Sequence, residues 1–280
     1  MRKAYALGLY EKAMPDGSWP EKLRTAKDAG YDFVEMSIDA TEKKISRVYS
    51  SQEVRRSLAA LCRDMEMPVG TLNDSALTKY SLGNPDPQMR ARGLEIAEES
   101  IYLAADLGAR LVMIPGYDVY YEPHTEETEA MFAENVRHLA LAAAAAGVQL
   151  GFETMENEFM NTVEKGMRYV SAVQSNYLQM YPDIGNMTNA AVMYGTDPVE
   201  DLRLGRGHLA ALHLKETAPG RFRELPYGTG HVNFEAAIDA AWELGVRRFV
   251  TEFWHTEGGE TPAYVRSWFS RIFDKYTAEA

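Results

Sequence analysis

The sequence predicts a single (β/α)8 TIM barrel, and three observations carry that prediction. Eight short, largely apolar runs alternate with amphipathic stretches along the 280 residues, spaced about 30 to 40 residues apart, as successive βα units are. Several amphipathic stretches close on a glycine shortly before the next apolar run. No Pro/Ser-rich linker or low-complexity tract divides the chain, so one domain over residues 1–280 is expected.

The elements follow in order. Tyr5 to Tyr10 is the first apolar run, and the helical pattern Glu21 to Ala29 ends at Gly30 before the second, Phe33 to Ile38. Glu53 to Met65 has helical periodicity and precedes the third run, Val69 to Asn73. Met89 to Leu107 closes at Gly108, and Leu111 to Pro115 follows as the fourth strand. Thr128 to Ala146 is rich in strong helix formers, stops at Gly147, and leads into Val148 to Glu153. Leu178 to Asp183 and Leu209 to Leu214 are the sixth and seventh runs. Phe234 to Leu244 stops at Gly245 before the eighth, Phe249 to Phe253. Mostly apolar composition suits parallel strands covered on both faces.

Composition narrows the function. A 46% hydrophobic share permits a large core, and a net charge of −12 disfavours a nucleic-acid backbone or an anionic membrane as partner. The single cysteine, Cys62, rules out an intrachain disulfide or a multi-thiolate metal site and reads as a buried small hydrophobe. The apolar run near Met1 is too short for a signal peptide, and no stretch approaches the roughly 20 apolar residues of a membrane span. A cytoplasmic enzyme is expected.

Four consecutive predicted strands end on residues that can ligate a metal: Glu153, Asp183, His213 and Glu252. In a parallel barrel these ends converge on the C-terminal rim, where such barrels carry their active sites. Three carboxylates and one imidazole suit a single divalent cation, with Mn²⁺ expected and Zn²⁺, Mg²⁺ and Co²⁺ also compatible. An isolated acidic strand end is ordinarily a helix cap or a solvated residue, but four in succession point to a site. The other histidines (His124, His138, His208, His231 and His255) read as structural or solvent-facing. Glu11 and Asn186 are expected substrate contacts, Glu11 also having Lys12 as an ion-pair partner. Glu35 is a softer candidate for the same role, and Trp19, Trp254, Tyr120 and Tyr121 are candidate pocket walls.

With these residues placed, the chain resembles the L-ribulose-5-phosphate 3-epimerase group, also called L-xylulose-5-phosphate 3-epimerase or hexulose-6-phosphate isomerase, of the xylose isomerase-like barrels. The resemblance runs nearly end to end, through Gly8 to Ala13, Asp32 to Ser37, Gly116 to Tyr121, Tyr181 to Asn186, His213 to Thr217 and Pro226 to Gly230. It implies that Glu153, Asp183, His213 and Glu252 hold one divalent metal and that Glu153 and Glu252 are the proton-transfer pair. Arg223 is similar to an arginine placed near the substrate hydroxyls in related ketose 3-epimerases. A homodimer or larger homo-oligomer and a sugar or sugar-phosphate substrate are further implications. One segment departs: where related phosphosugar epimerases carry a His-Arg-Arg or His-Arg-Lys stretch, this chain has Leu77, Thr78 and Lys79, so only Lys79 keeps a positive charge to meet a phosphate.

The implied activity is ketose 3-epimerisation, on a ketose or ketose 5-phosphate. One glutamate takes the C3 proton and the other returns a proton to the opposite face of an enediolate. An aldose–ketose isomerase uses the same groups and is the nearest rival. A metal-dependent endonuclease is disfavoured by the charge, and a catalytically silent sugar-binding barrel by the intact ligand set.

Overall fold

The computed structural model describes residues 4–276; residues 1–3 and 277–280 of the domain expected over 1–280, with the start of the stretch weighed as a signal peptide, lie outside the described residues. The expected strands form β1 (Ala6–Tyr10), β2 (Phe33–Ser37), β3 (Val69–Asn73), β4 (Leu111–Pro115), β5 (Gln149–Glu153), β6 (Leu178–Met180), β7 (Leu212–Leu214) and β8 (Arg248–Thr251). They make one parallel sheet in the order β6-β5-β4-β3-β2-β1-β8-β7. Isolated parallel bridges, Met180 to Leu209 and Asp183 to His213, close it between β6 and β7.

That seam is where expectation and structure differ. β6 ends at Met180 rather than Asp183, and β7 begins at Leu212 rather than Leu209. Pro182 has no N–H to donate, so a regular ladder cannot run through it. Contact is kept by single bonds: Met180 N–H donates to His208 O (2.8 Å), Ala210 N–H to Met180 O (2.9 Å), and His213 N–H to Pro182 O (2.8 Å). The rim of the seam is therefore built from irregular backbone that presents side chains rather than pairing fully.

Helices wrap the sheet. α1 (Trp19–Asp28) starts with a reciprocal cap in which Ser18 N–H and Oγ both donate to Glu21 Oε2 at 2.7 Å. α2 (Glu42–Ile45) is a single short turn, and α3 (Gln52–Asp64) follows. α4 (Pro87–Leu107) and α5 (Glu126–Ala146) end on Gly108 and Gly147, both in the left-handed conformation that favours glycine. α6 (Val163–Val173), α7 (Ile184–Tyr194) and α8 (Pro198–Arg203) occupy the span between β5 and β7, and α9 (Phe234–Glu243) and α10 (Pro262–Phe273) flank β8. Two apolar groups of buried residues hold the assembly. The larger joins the sheet to the helices; the smaller, with Tyr10, Phe33, Leu111, Met113, Tyr181 and Val250, forms a separate cluster of residues from β1, β2, β4 and β8 and the β6 and β7 seam. Cys62 is buried in the larger group, as a small hydrophobe would be. Among the described residues no helix is long and apolar enough to cross a membrane.

A candidate metal centre at the C-terminal rim

Glu153 is the last residue of β5, His213 lies in the middle of β7, and Glu252 follows β8 directly. Asp183 occupies the N-cap of α7, where its Oδ1 accepts from Asn186 N–H at 2.7 Å. This cap requires α7 to begin almost against the β7 strand end: a Cβ on Gly185 would sit 2.6 Å from Lys215 O, so only glycine permits the approach. The result is one group of potential ligand atoms from Glu153, Asp183, His213 and Glu252, all within 4.8 Å of one another. All four residues are buried, with Asp183 and His213 fully so.

The imidazole is held from both sides. Its Nε2 lies 2.8 Å from Glu35 Oε1, while Nδ1 lies 2.9 Å from Glu153 Oε1 and 3.2 Å from Glu252 Oε2. Glu35 is itself fixed by the hydroxyls of Tyr181 (2.7 Å) and Thr71 (2.8 Å), both donating to Oε2. A carboxylate on the distal ring nitrogen is the usual orienting partner of a metal-ligating histidine, and it leaves Nδ1 to face the other ligands. Burial by itself would lower the His213 pKa, but Glu35 and the surrounding anions outweigh it and hold the pKa well above the ordinary histidine value.

The remaining electrostatics fit a cation at the centre. Burial, and then the proximity of Glu252, raise the Glu153 pKa. Burial also raises that of Asp183, against the pull of Lys215, with Glu252 and Glu153 adding to the rise. Glu252 is instead held well below the carboxylate range, because Lys215 and His213 overcome its burial. Asp183 Oδ2 and Glu252 Oε2 are buried without a hydrogen-bond donor; Lys215 Nζ, 3.1 and 3.6 Å away, approaches them as a charge but outside hydrogen-bonding geometry. Buried carboxylate oxygens that lack a hydrogen-bond donor, beside an imidazole nitrogen, are the donor set a divalent ion takes. The residues present therefore fit a metal.

Beside this group opens a cavity of about 390 Å³. Glu153, Glu252 and Lys215 line its metal end, and Tyr10, Trp254, Tyr120 and Pro115 wall it. Arg223 also lines it, with Nη2 3.2 Å from Glu156 Oε1 and the guanidinium over the Trp254 ring. Asn186 is buried behind Asp183, where its Nδ2 donates to Thr154 O at 2.8 Å. Lys79 has its ammonium 5.0 Å above the Tyr80 ring, whereas Ser75 and Thr78 of the same turn line the cavity. Glu11 is engaged elsewhere. Its carboxylate accepts from Lys22 (2.5 Å), Lys44 (2.6 Å), Arg47 (2.6 Å) and the Ser37 N–H (2.9 Å), which makes it the hub of a buried ion cluster. Lys12, expected to pair with Glu11, instead pairs with Asp39 at 2.8 Å.

Two residues at the site were not singled out by the sequence reading. Lys215 stands two positions beyond His213, and the two-residue period of an extended strand brings both to the same side. Glu156, three residues past Glu153, gains its place only because the chain after β5 turns back to Arg223 and to the Tyr121 hydroxyl, 2.8 Å away. Of the softer candidates, Trp254 and Tyr120 wall the cavity, Trp19 stacks under Arg47, and Tyr121 is largely exposed.

Comparison with known proteins agrees with this architecture. Residues 23–269 match the model of the xylose isomerase-like TIM barrel family. The L-ribulose-5-phosphate 3-epimerase UlaE of Salmonella paratyphi A is 37% identical over 265 residues, covering 94% of this chain and 92% of the relative. Among solved structures, an L-ribulose 3-epimerase superposes with a TM-score of 0.76 at 19% identity, covering 98% of this chain and 96% of its own. The 3-keto-D-glucoside 4-epimerase YcjR from E. coli gives a TM-score of 0.77 at 19% identity, covering 96% of this chain and 98% of its own. These two likenesses are of fold. By the family model and the close curated relative together, the chain belongs to the xylose isomerase-like TIM barrel family and, within it, to the group of L-ribulose-5-phosphate 3-epimerases.

Proposed function

We propose that this chain is a metal-dependent 3-epimerase of a ketose or ketose 5-phosphate. The observation that carries the reading is the buried Glu153–Asp183–His213–Glu252 group opening onto a cavity large enough for a small sugar. The 37% identity to an L-ribulose-5-phosphate 3-epimerase supports the same reaction. Mn²⁺ is the ion proposed, and Zn²⁺, Mg²⁺ and Co²⁺ suit the same donors. When bound, the ion supplies the positive charge that acidifies the C–H next to a ketose carbonyl and stabilises the negative charge left behind.

The chain's own residues do the rest. Glu153 and Glu252 stand at the metal end of the cavity, and in this reading one removes the C3 proton while the other returns a proton from the opposite face. Glu35 fixes the orientation of His213, and Asn186 and Thr154 steady Asp183 from behind. Arg223, stacked on Trp254, and Glu156 are the groups placed to meet sugar hydroxyls. The proposal also comprises a cytoplasmic location and a homodimer or larger homo-oligomer.

The test is solvent exchange. Metal-loaded protein incubated with L-ribulose or its 5-phosphate in D2O should yield the C3 epimer with deuterium at C3. Glu252→Gln should keep the fold and most of the metal while losing about 10²-fold or more in turnover, the usual scale of a lost acid–base group. Near-normal turnover in that variant would overturn the two-glutamate assignment. Deuterium at C1 or C2 with an aldose product would replace the epimerase reading by an isomerase one.

A further inference from the structure

Resting on the epimerase reading, we infer that Asn73 recognises the C4 hydroxyl of the substrate and so helps to set which ketoses the site accepts. Asn73 closes β3, and strand alternation turns it to the same side as Thr71, toward Glu35. Its Nδ2 donates to Glu35 Oε1 at 3.4 Å, and Glu35 also accepts from Thr71, Tyr181 and His213. That fixes the amide, because a flipped side chain would set oxygen against oxygen. Oδ1 is left buried with no donor, and Asn73 lines the cavity. A buried acceptor without a partner is costly, and a substrate O–H is the donor that entry into this cavity brings to it.

The strand end that carries this acceptor is held from both sides. Asn73 O accepts from Ile38 N–H (2.8 Å), just past β2, while Asp74 N–H donates to Met113 O of β4 (3.0 Å) and Ala76 N–H to Ile38 O (2.8 Å). The Ser75 hydroxyl lines the same cavity and is likewise buried without a partner, so it can donate to the oxygen of the hydroxyl whose proton Asn73 accepts. L-Ribulose 5-phosphate has two hydroxyls besides the one on C3, at C1 and C4. Three strands separate β3 from β7 by either path round the barrel, β4, β5 and β6 or β2, β1 and β8. Arg223, in the connection after β7, therefore approaches from across the mouth. Glu156, 3.2 Å from Arg223, disfavours the phosphate arm at that end. The C1 hydroxyl belongs with Arg223, and the C4 hydroxyl with Asn73. A fixed acceptor also selects configuration at C4, a stereocentre, which it could not do at the freely turning C1.

The experiment compares L-ribulose 5-phosphate with its 4-deoxy analogue on Mn²⁺-loaded wild type and Asn73→Ala. In the wild type the analogue should lose at least about tenfold in kcat/KM, because Asn73 Oδ1 then stays buried and unpaired. In Asn73→Ala the two sugars should agree within about twofold. A merely structural role for Asn73 would not close that gap, since misfolding or metal loss lowers both sugars alike. No gap in the wild type, or a tenfold gap that survives in the variant, overturns the inference. So does an Asn73-dependent gap found with the 1-deoxy analogue in place of the 4-deoxy one. If alanine does not fold, Asn73→Leu fills the space without a polar atom and is read in the same way. If neither sugar is turned over, the epimerase reading fails on its own account, and calorimetric binding of the same pair still decides. Tighter binding of the sugar bearing the C4 hydroxyl, lost in the variant, supports the inference, and equal or absent binding overturns it.

Discussion

Glu35→Gln is the perturbation that most directly probes how the fold prepares the metal centre. Glu35 touches no other member of the ligand group except His213, yet both side chains are fully buried and 2.8 Å apart. It accepts four bonds: from His213 Nε2, the Tyr181 hydroxyl, the Thr71 hydroxyl and, at 3.4 Å, Asn73 Nδ2. Alanine would strand four buried donors at about 1–3 kcal/mol each and would confuse metal loss with unfolding. Glutamine keeps one acceptor oxygen and the side-chain volume while removing the charge. Loss of an orienting carboxylate behind a histidine ligand typically costs 10–100-fold in metal affinity, or about 1.4–2.7 kcal/mol. Because the glutamine oxygen can still hold the ring, the lower half of that range is expected. Competition with a chromogenic chelator measures the affinity, and a thermal melt of the metal-free variant checks the fold. Wild-type affinity in a variant with an unchanged melt would refute the claim that Glu35 prepares His213.

Two further outcomes test the surroundings. Asp74, fully buried just after β3, has its pKa pushed up to about 7 by burial, which the Ser100 hydroxyl and Ala76 N–H offset only in part. The folded chain then holds this proton more tightly than the unfolded chain, so stability falls as pH rises from about 4 to about 7 and levels off above, by at most about 4 kcal/mol. Asp74→Asn should therefore gain in Tm over the parent as pH rises from 5 to 8, and parallel Tm curves would count against this account. Glu11→Gln removes the anion shared by Lys22, Lys44 and Arg47, leaving two buried lysines and the half-buried Arg47 in mutual repulsion. A destabilisation of about 3–5 kcal/mol is expected in urea unfolding, and a loss below 1 kcal/mol would mean that the cluster relaxes into solvent.

The barrel was legible because its signals are local and repeated. Helices ending at Gly108 and Gly147 and apolar strands such as Leu111–Pro115 show in any short window of sequence. α7 was not legible: Gly185, Asn186, Thr188 and Asn189 are poor helix formers, and tertiary packing of a buried face overrides them. The β6–β7 seam was legible in position but not in regularity, since Pro182 breaks the ladder that the apolar pattern continues.

The sequence by itself determined the fold class and the four residues whose ligand atoms gather at the rim, because strand ends recur at a fixed spacing and each carries its own chemistry. Only the tertiary structure decided what surrounds them. Glu35 and Tyr181 are separated by 146 residues, Glu35 and His213 by 178, yet each pair forms a hydrogen bond. Glu11 met three cations that no periodicity connects to it, and Lys12 was drawn to Asp39 instead. Charge compensation depends on distances across the barrel mouth, and those exist only once the eight strands have closed.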